Sequence, residues 1–277
     1  KLHTPWTLTD LLNKTYSNNL DCLLTKYLEK KQFLRSYALN ANSFSLKNKI
    51  RQIYKIPSNK INVLYYGLDN KDVDGYKDKK SLIKGDYIIY FGRLEERKGL
   101  KTLANAIKLV LNKKKVKFVF VGNEPDYSHG VKSYIINKNK ENLDKIIFIK
   151  HKKRKDLFPL VSNSKLVVLP SPWEAFGYTC LEALSLGCIM LAARGSGFEE
   201  QIQKGNKNGF LFTPNNHKEL AKKIIKILNM PKSKLNKIRK NARKRTLYFD
   251  NKNMTNRLLK YYEKLLKNEN FNNNSNL

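Results

Sequence analysis

The stretch "KLVVLPSPWEAFGYTCLEALSLG", residues 165 to 187, decides how this chain reads. It opens as an apolar β-branched strand, breaks at Pro170 and Pro172, and resumes after Gly177 as a helix closed by Gly187. A strand apolar on both faces that feeds directly into a helix is the repeating unit of a parallel sheet covered on both sides. Two glutamates, Glu174 and Glu182, bracket the turn with seven residues between them, in otherwise small or apolar surroundings.

The same alternation continues on either side. "YIIYFG" (87–92), "VKFVFVG" (116–122), "KIIFIK" (145–150), "CIMLAA" (188–193) and "GFLFTP" (209–214) read as further strands. Helices are expected near 99–113, 131–140, 154–162, 178–186, 198–203 and from His217 onward. A complete α/β parallel-sheet domain over 87–247 follows, and such sheets bind ligands at the carboxyl ends of their strands. Upstream, 7–36 reads as helical, "YALNANS" as a strand, 45–54 as a helix and "INVLYYG" as a strand. This makes a smaller unit over 1–70, joined through a polar, charged linker at 71–86. The Asn-rich end, 269–277, has the composition of a disordered tail.

The formal charge is +32, from 55 Lys and Arg against 23 Asp and Glu. Nucleic acid, anionic lipid and phosphate-bearing substrates could each use it. Lysine dominates alongside Asn and Ile, and no nucleic-acid module is recognisable, so a compositional origin is favoured and no specific nucleic acid is expected. Peripheral contact with an anionic membrane would draw on 7–36, where leucines interleave with Lys14, Lys26, Lys30, Lys31 and Arg35. Burial of an ordinary amphipathic helix explains that pattern equally well. Cys22, Cys180 and Cys188 form no C-x-x-C pair, which argues against a disulfide framework or a zinc site. Without an apolar run of ~20 residues or a signal-peptide pattern, a cytoplasmic setting is expected, with the membrane surface as the alternative.

Two turns carry the chemistry. "FGRLEERKG" (91–99) leaves a strand at Gly92 and enters a helix at Gly99, with Arg93 and Lys98 between them. A guanidinium fork and an ammonium point charge can together hold a diphosphate. In the opening stretch, the backbone amides of Phe176, Gly177 and Tyr178 lie at a helix start, where anions bind. Glu174 and Glu182 would then stand on either side of the anion, and carboxylates accept hydrogen bonds from vicinal hydroxyls. The plainer readings are a solvated cationic loop and an exposed helical glutamate.

In order and spacing, "GRLEERKG", "VG", "PSPWEAFGYTCLEALSLG", "GSGFEE" and "NGFLF" resemble glycosyltransferase family 4. The resemblance is strong over about 86–230 and weak over 1–70. It implies a GT-B fold: one complete Rossmann-like domain, here the donor side, and a partial second one, the acceptor side. It implies a retaining enzyme that moves a glycosyl group from a nucleotide diphosphate sugar, such as a UDP- or GDP-sugar, to a glycan or lipid acceptor hydroxyl. No metal cofactor is implied. By the same resemblance Arg93 and Lys98 neutralise the diphosphate, and the backbone of Phe176, Gly177, Tyr178 and Thr179 holds the distal phosphate. Glu182 holds the ribose, Glu174 contacts the donor sugar, Ile149 and Lys150 border the base, and His3 approaches from the acceptor side. The other histidines, His129, His151 and His217, are expected at the ordinary surface.

A helix at 248–268 is expected to return to the first unit. Because His3 stands so near the first residue, the chain is expected to be a fragment or a truncated homologue, able to bind donor without efficient transfer. Two rivals accompany this reading: a nucleotide-sugar-binding remnant without catalysis, and a basic nucleic-acid-binding protein.

Overall fold

The computed structural model describes residues 4–13, 16–70, 73, 75–76, 81–126 and 130–274. Six strands form one parallel sheet: β3 (Tyr87–Phe91), β4 (Lys117–Val121), β5 (Ile146–Ile149), β6 (Leu166–Leu169), β7 (Met190–Ala193) and β8 (Phe210–Phe212). Their order is β5-β4-β3-β6-β7-β8, so the chain reverses direction across the sheet between β3 and β6. Loops leaving the carboxyl ends of those two strands diverge and open a crevice there. β3, β6 and β7 are buried along their whole length, as their continuous apolar sequences require.

Helices α4 (Leu100–Leu111), α5 (Val131–Lys138) and α9 (His217–Leu228) pack together, and α7 (Tyr178–Ser185) packs with α10 (Lys232–Leu247). The remaining connections in this unit are α6 (Arg154–Ser162) and the single turn α8 (Phe198–Gln201). α4 shows why these segments are helical. Leu100, Leu103, Ala104, Ile107 and Val110 recur at helical spacing and are all buried, while Lys101 and Lys108 take the outer face.

The first unit contains α1 (Trp6–Asn13), α2 (Leu20–Arg35), β1 (Leu39–Ala41), α3 (Phe44–Tyr54) and β2 (Ile61–Val63), with β1 and β2 paired in parallel. The helical pattern of 7–36 is thus divided in two. Asn19 accepts from the amide of Cys22 and starts α2 afresh, a role its short polar side chain fills better than helix interior. Glu29 of α2 ties the pieces together by accepting from the Trp6 amide at 2.7 Å and the Thr7 hydroxyl at 2.7 Å. The last helix, α11 (Asn251–Asn274), begins where Leu68 and Asp250 form a bridge, and the Asn62 amide donates to the Tyr261 hydroxyl at 2.7 Å. It runs on as helix into the segment expected to be disordered, since no Gly or Pro interrupts it. No helix among the described residues is long and apolar enough to cross a membrane.

Close backbone approach shapes the crevice. Gly122 follows β4 at φ 150°, and a Cβ built there would lie 2.0 Å from the Gly92 carbonyl oxygen. Gly122→Ala should therefore destabilise the fold by at least about 1–3 kcal/mol, read as a lower urea midpoint. An unchanged midpoint would show that the two strand ends can separate freely.

Candidate active site

The loop from Pro170 to Gly177 is pinned at both ends of its apolar sequence. Trp173 belongs to the core of the first unit, with Leu8, Leu46 and Ile50, whereas Phe176 belongs to the core of the six-stranded sheet. Its carbonyls are engaged one after another. Glu174 accepts from the Gly197 amide, Ala175 from the Ser43 hydroxyl, and Phe176 and Gly177 from the buried Gln201 amide. Gly177 adopts φ 83°, a left-handed conformation, and a Cβ there would meet the Phe198 ring at 2.3 Å. α7 then starts with no side-chain cap. The first amides of a helix have no acceptor within it, which applies here to those of Tyr178 and Thr179.

Two adjoining clefts result. The first, about 450 Å³, lies between the two units and is lined by Arg93, Arg97, Lys98, Glu174 and Gly177, with Asn42 and Tyr66 from the other side. The second, about 660 Å³, lies over the carboxyl ends of β3 and β4, lined by Gly92, Gly122, His151, Arg154 and Glu182. Arg93 and Thr179 line both. An extended ligand could thus pass from one to the other beside Arg93 and the start of α7.

The sequence-derived residues fall as follows. Lys98 pairs with Glu174 at 2.5 Å, and both side chains are largely buried. Arg93 is 3.3 Å from Glu95 and about half exposed. Phe176 turns its ring inward against Tyr65, Tyr66 and Phe249, and its carbonyl is taken by Gln201. Tyr178 stacks on Tyr66 at 5.1 Å. Glu182 projects from the second turn of α7 into the second cleft, 3.0 Å from Arg154. At the end of β5, the Ile149 carbonyl accepts from Gly122, while His151 through Arg154, just beyond exposed Lys150, line the cleft. His151, expected at the ordinary surface, lies at this cleft instead. His3 and His129 lie outside the described residues.

Three further features were not anticipated. Arg154 begins α6, and its guanidinium was detectable as another cation at a strand-to-helix turn, the pattern that singled out Arg93. Arg97 pairs with Glu95 at 2.8 Å, and Glu95, 2% exposed, holds both arginines of "GRLEERKG". Asn42, 5% exposed, lines the first cleft with a buried Oδ1 that has no hydrogen-bond partner among the described residues. Nothing in local sequence distinguishes it from the chain's many other asparagines.

The reversal in strand order, the divided clefts and the paired units define a GT-B glycosyltransferase fold. Residues 74–245 match the family of group 1 glycosyl transferases, and the chain belongs to that family. It is 26% identical over 204 residues to an uncharacterised glycosyltransferase of Methanocaldococcus jannaschii, covering 68% of this chain and 50% of that protein. It is 24% identical over 200 residues to N-acetyl-α-D-glucosaminyl L-malate synthase of Bacillus anthracis, covering 70% of this chain and 51% of that one. The chain therefore spans about half the length of these relatives. Among solved structures, it superposes on Anabaena HepE in complex with UDP with a TM-score of 0.76 at 21% identity, covering 87% of this chain and 68% of that one.

Burial raises the pKa of Glu182, and the nearby Arg154 only partly offsets this. A carboxyl whose folded pKa is raised contributes most to stability below its ordinary value of 4.5 and withdraws that contribution as pH rises through the folded value. Glu182→Gln should therefore raise the melting temperature at pH 7 relative to the parent chain, and the difference should shrink toward pH 4. A variant that is less stable at pH 7 would show that the Arg154 pair outweighs desolvation.

Proposed function

We propose that this chain forms the donor-binding part of a retaining glycosyltransferase that uses a nucleotide diphosphate sugar, with a UDP-sugar the first candidate. One observation carries the reading: Arg93, Lys98, the open amides of α7, Glu174 and Glu182 border two clefts that share Arg93 and Thr179. The fold neighbour solved with UDP, and the same protein solved with UDP-glucose, supply the choice of base.

The nucleoside lies in the second cleft, with Glu182 accepting from the ribose hydroxyls and His151 near the base. Arg154 then exchanges Glu182 for solvent or for the ligand. The diphosphate crosses between Arg93 and the Tyr178 and Thr179 amides, donors that complement the charge gathering on it as the glycosidic bond breaks. The sugar occupies the first cleft beside Glu174. An acceptor hydroxyl, for which buried Asn42 offers an unfilled acceptor atom, approaches from the first unit and loses its proton to the departing diphosphate. The positive charge for this step comes from side chains and amides, so the reading calls for no metal. Acceptors are glycans or lipids. The exposed leucines of α2, including Leu20, Leu24 and Leu28, give the chain an apolar approach to an anionic membrane surface.

Calorimetry with UDP, GDP and their sugars tests the reading directly; no binding of any of them at millimolar concentration would overturn it. Arg93→Ala should weaken binding by about 1.5–3 kcal/mol. Lys98→Ala should weaken it more, because Glu174 loses its partner at 2.5 Å and sets an uncompensated negative charge beside the phosphates. The double variant Lys98→Ala/Glu174→Gln should recover part of that loss, and strict additivity would mean that the pair does not act together in binding.

In the active full-length enzyme, Glu174→Gln should lower turnover more than nucleotide affinity, whereas Glu182→Gln should do the reverse. Equal effects on affinity would remove the division between sugar and ribose. Retention is read from the anomeric proton of the product by NMR.

A further inference from the structure

A third cavity, of about 340 Å³, lies away from both clefts, between α9 and α10. Phe210, the first residue of β8, lines it, together with the turn before that strand and the end of α9. In a parallel sheet the amino ends of the strands lie opposite the carboxyl ends, where the candidate active site is. This cavity is therefore a separate place on the molecule.

Its walls combine two chemistries. The floor is apolar: Phe210, Ile227 and Ile238 are buried and Met230 is half-buried. The rim carries Lys207, Lys223, Lys226, Lys234 and Lys237. Lys223 is occupied by Glu219 at 3.0 Å and by the Leu211 carbonyl. The other four have no acidic partner among the described residues. No Asp or Glu occurs between Glu219 and Asp250, so beyond Glu219 the two helices that wall the cavity bring no acid to its rim. Like charges gathered around one opening repel each other, and an anion seated among them relieves that repulsion. The α10 start adds to this: it has no side-chain cap, and its positive dipole end lies beside Lys234 at the rim.

We propose that this cavity binds a phosphate-bearing amphiphile, its phosphoryl group among Lys226, Lys234 and Lys237 and its apolar part against Phe210, Met230 and Ile238. Lysines act as rotatable point charges and suit a phosphate dianion rather than a planar carboxylate fork. The volume admits a headgroup with a short length of chain. The ligand is either a soluble phosphorylated amphiphile or the phosphate-bearing headgroup of an anionic lipid in a membrane.

Calorimetry with dihexanoyl phosphatidic acid should show binding, with inorganic phosphate and dihexanoyl phosphatidylcholine at least about tenfold weaker. Lys226→Gln/Lys234→Gln/Lys237→Gln should lose at least about tenfold in affinity. Lys240→Gln/Lys244→Gln, exposed on α10 outside the cavity, should stay within about twofold. With 13C-methyl methionine, the Met230 resonance should shift on addition of phosphatidic acid while those of Met190 and Met254 stay in place. Equal loss in the two lysine variants, equal affinity for inorganic phosphate, or an unshifted Met230 at saturation would each overturn the proposal. Flotation on phosphatidic acid-containing vesicles separates the sources. A cavity-dependent loss of flotation identifies a membrane lipid, and unaltered flotation with cavity-dependent binding of the soluble probe identifies a free ligand.

Discussion

The arrangement of this molecule depends on the short loop that carries Glu174. Trp173 on one side enters the core of the first unit, and Phe176 on the other enters the core of the six-stranded sheet. Two large side chains separated by Glu174 and Ala175 are thus buried in different cores, which leaves the carboxylate held at the boundary between them. The carbonyls of the loop are also engaged, by Gly197, Ser43 and Gln201. A segment so constrained positions its charge without relying on a flexible side chain alone. The Lys98 ammonium completes it, because a largely buried carboxylate needs a partner.

The same loop couples the two units. Glu200, just beyond Phe198, accepts from the amides of Phe44 and Ser45 at 2.9 Å and so reaches across to the start of α3. Tyr65 packs on Phe176 and Phe249, and Arg245 lies over the rings of Tyr248 and Phe249. Leu68 and Asp250 then pair main chain to main chain. Aromatic faces and a few directed hydrogen bonds thus join the two units. Any relative motion of the units would have to break the Glu200 and Ser43 bonds together.

Charge is distributed unevenly. Near the two clefts, four cations are matched by carboxylates, Arg93 and Arg97 by Glu95, Lys98 by Glu174, and Arg154 by Glu182, while Lys152 and Lys153 at the second cleft have no such partner among the described residues. Each pair keeps a side chain in place. Around the third cavity only Lys223 is matched, by Glu219, among the described residues, and repulsion among the other lysines remains. The net charge of +32 is thus offset at a few named pairs and left uncompensated at many other lysines.

Sequence by itself determined the parallel α/β class, because short apolar, β-branched and aromatic runs such as Tyr87–Phe91 and Leu166–Leu169 alternate with helical patterns, as strands buried on both faces of a parallel sheet do. It also located the turns with Arg93, Lys98, Glu174 and Glu182, since glycines and charges at strand ends are local signals. The break between α1 and α2 was hidden, because a cap by Asn19 looks like any other asparagine inside a leucine-rich pattern. Tertiary structure alone decided that Lys98 faces Glu174, that Arg154 faces Glu182, and that His151 borders a cleft. It alone placed Asn42 and Tyr66, far upstream, opposite the Glu174 loop. Those pairings join residues from different strands or units, and their physical cause is the strand order β3-β6 and the burial of Trp173, neither of which a local pattern encodes.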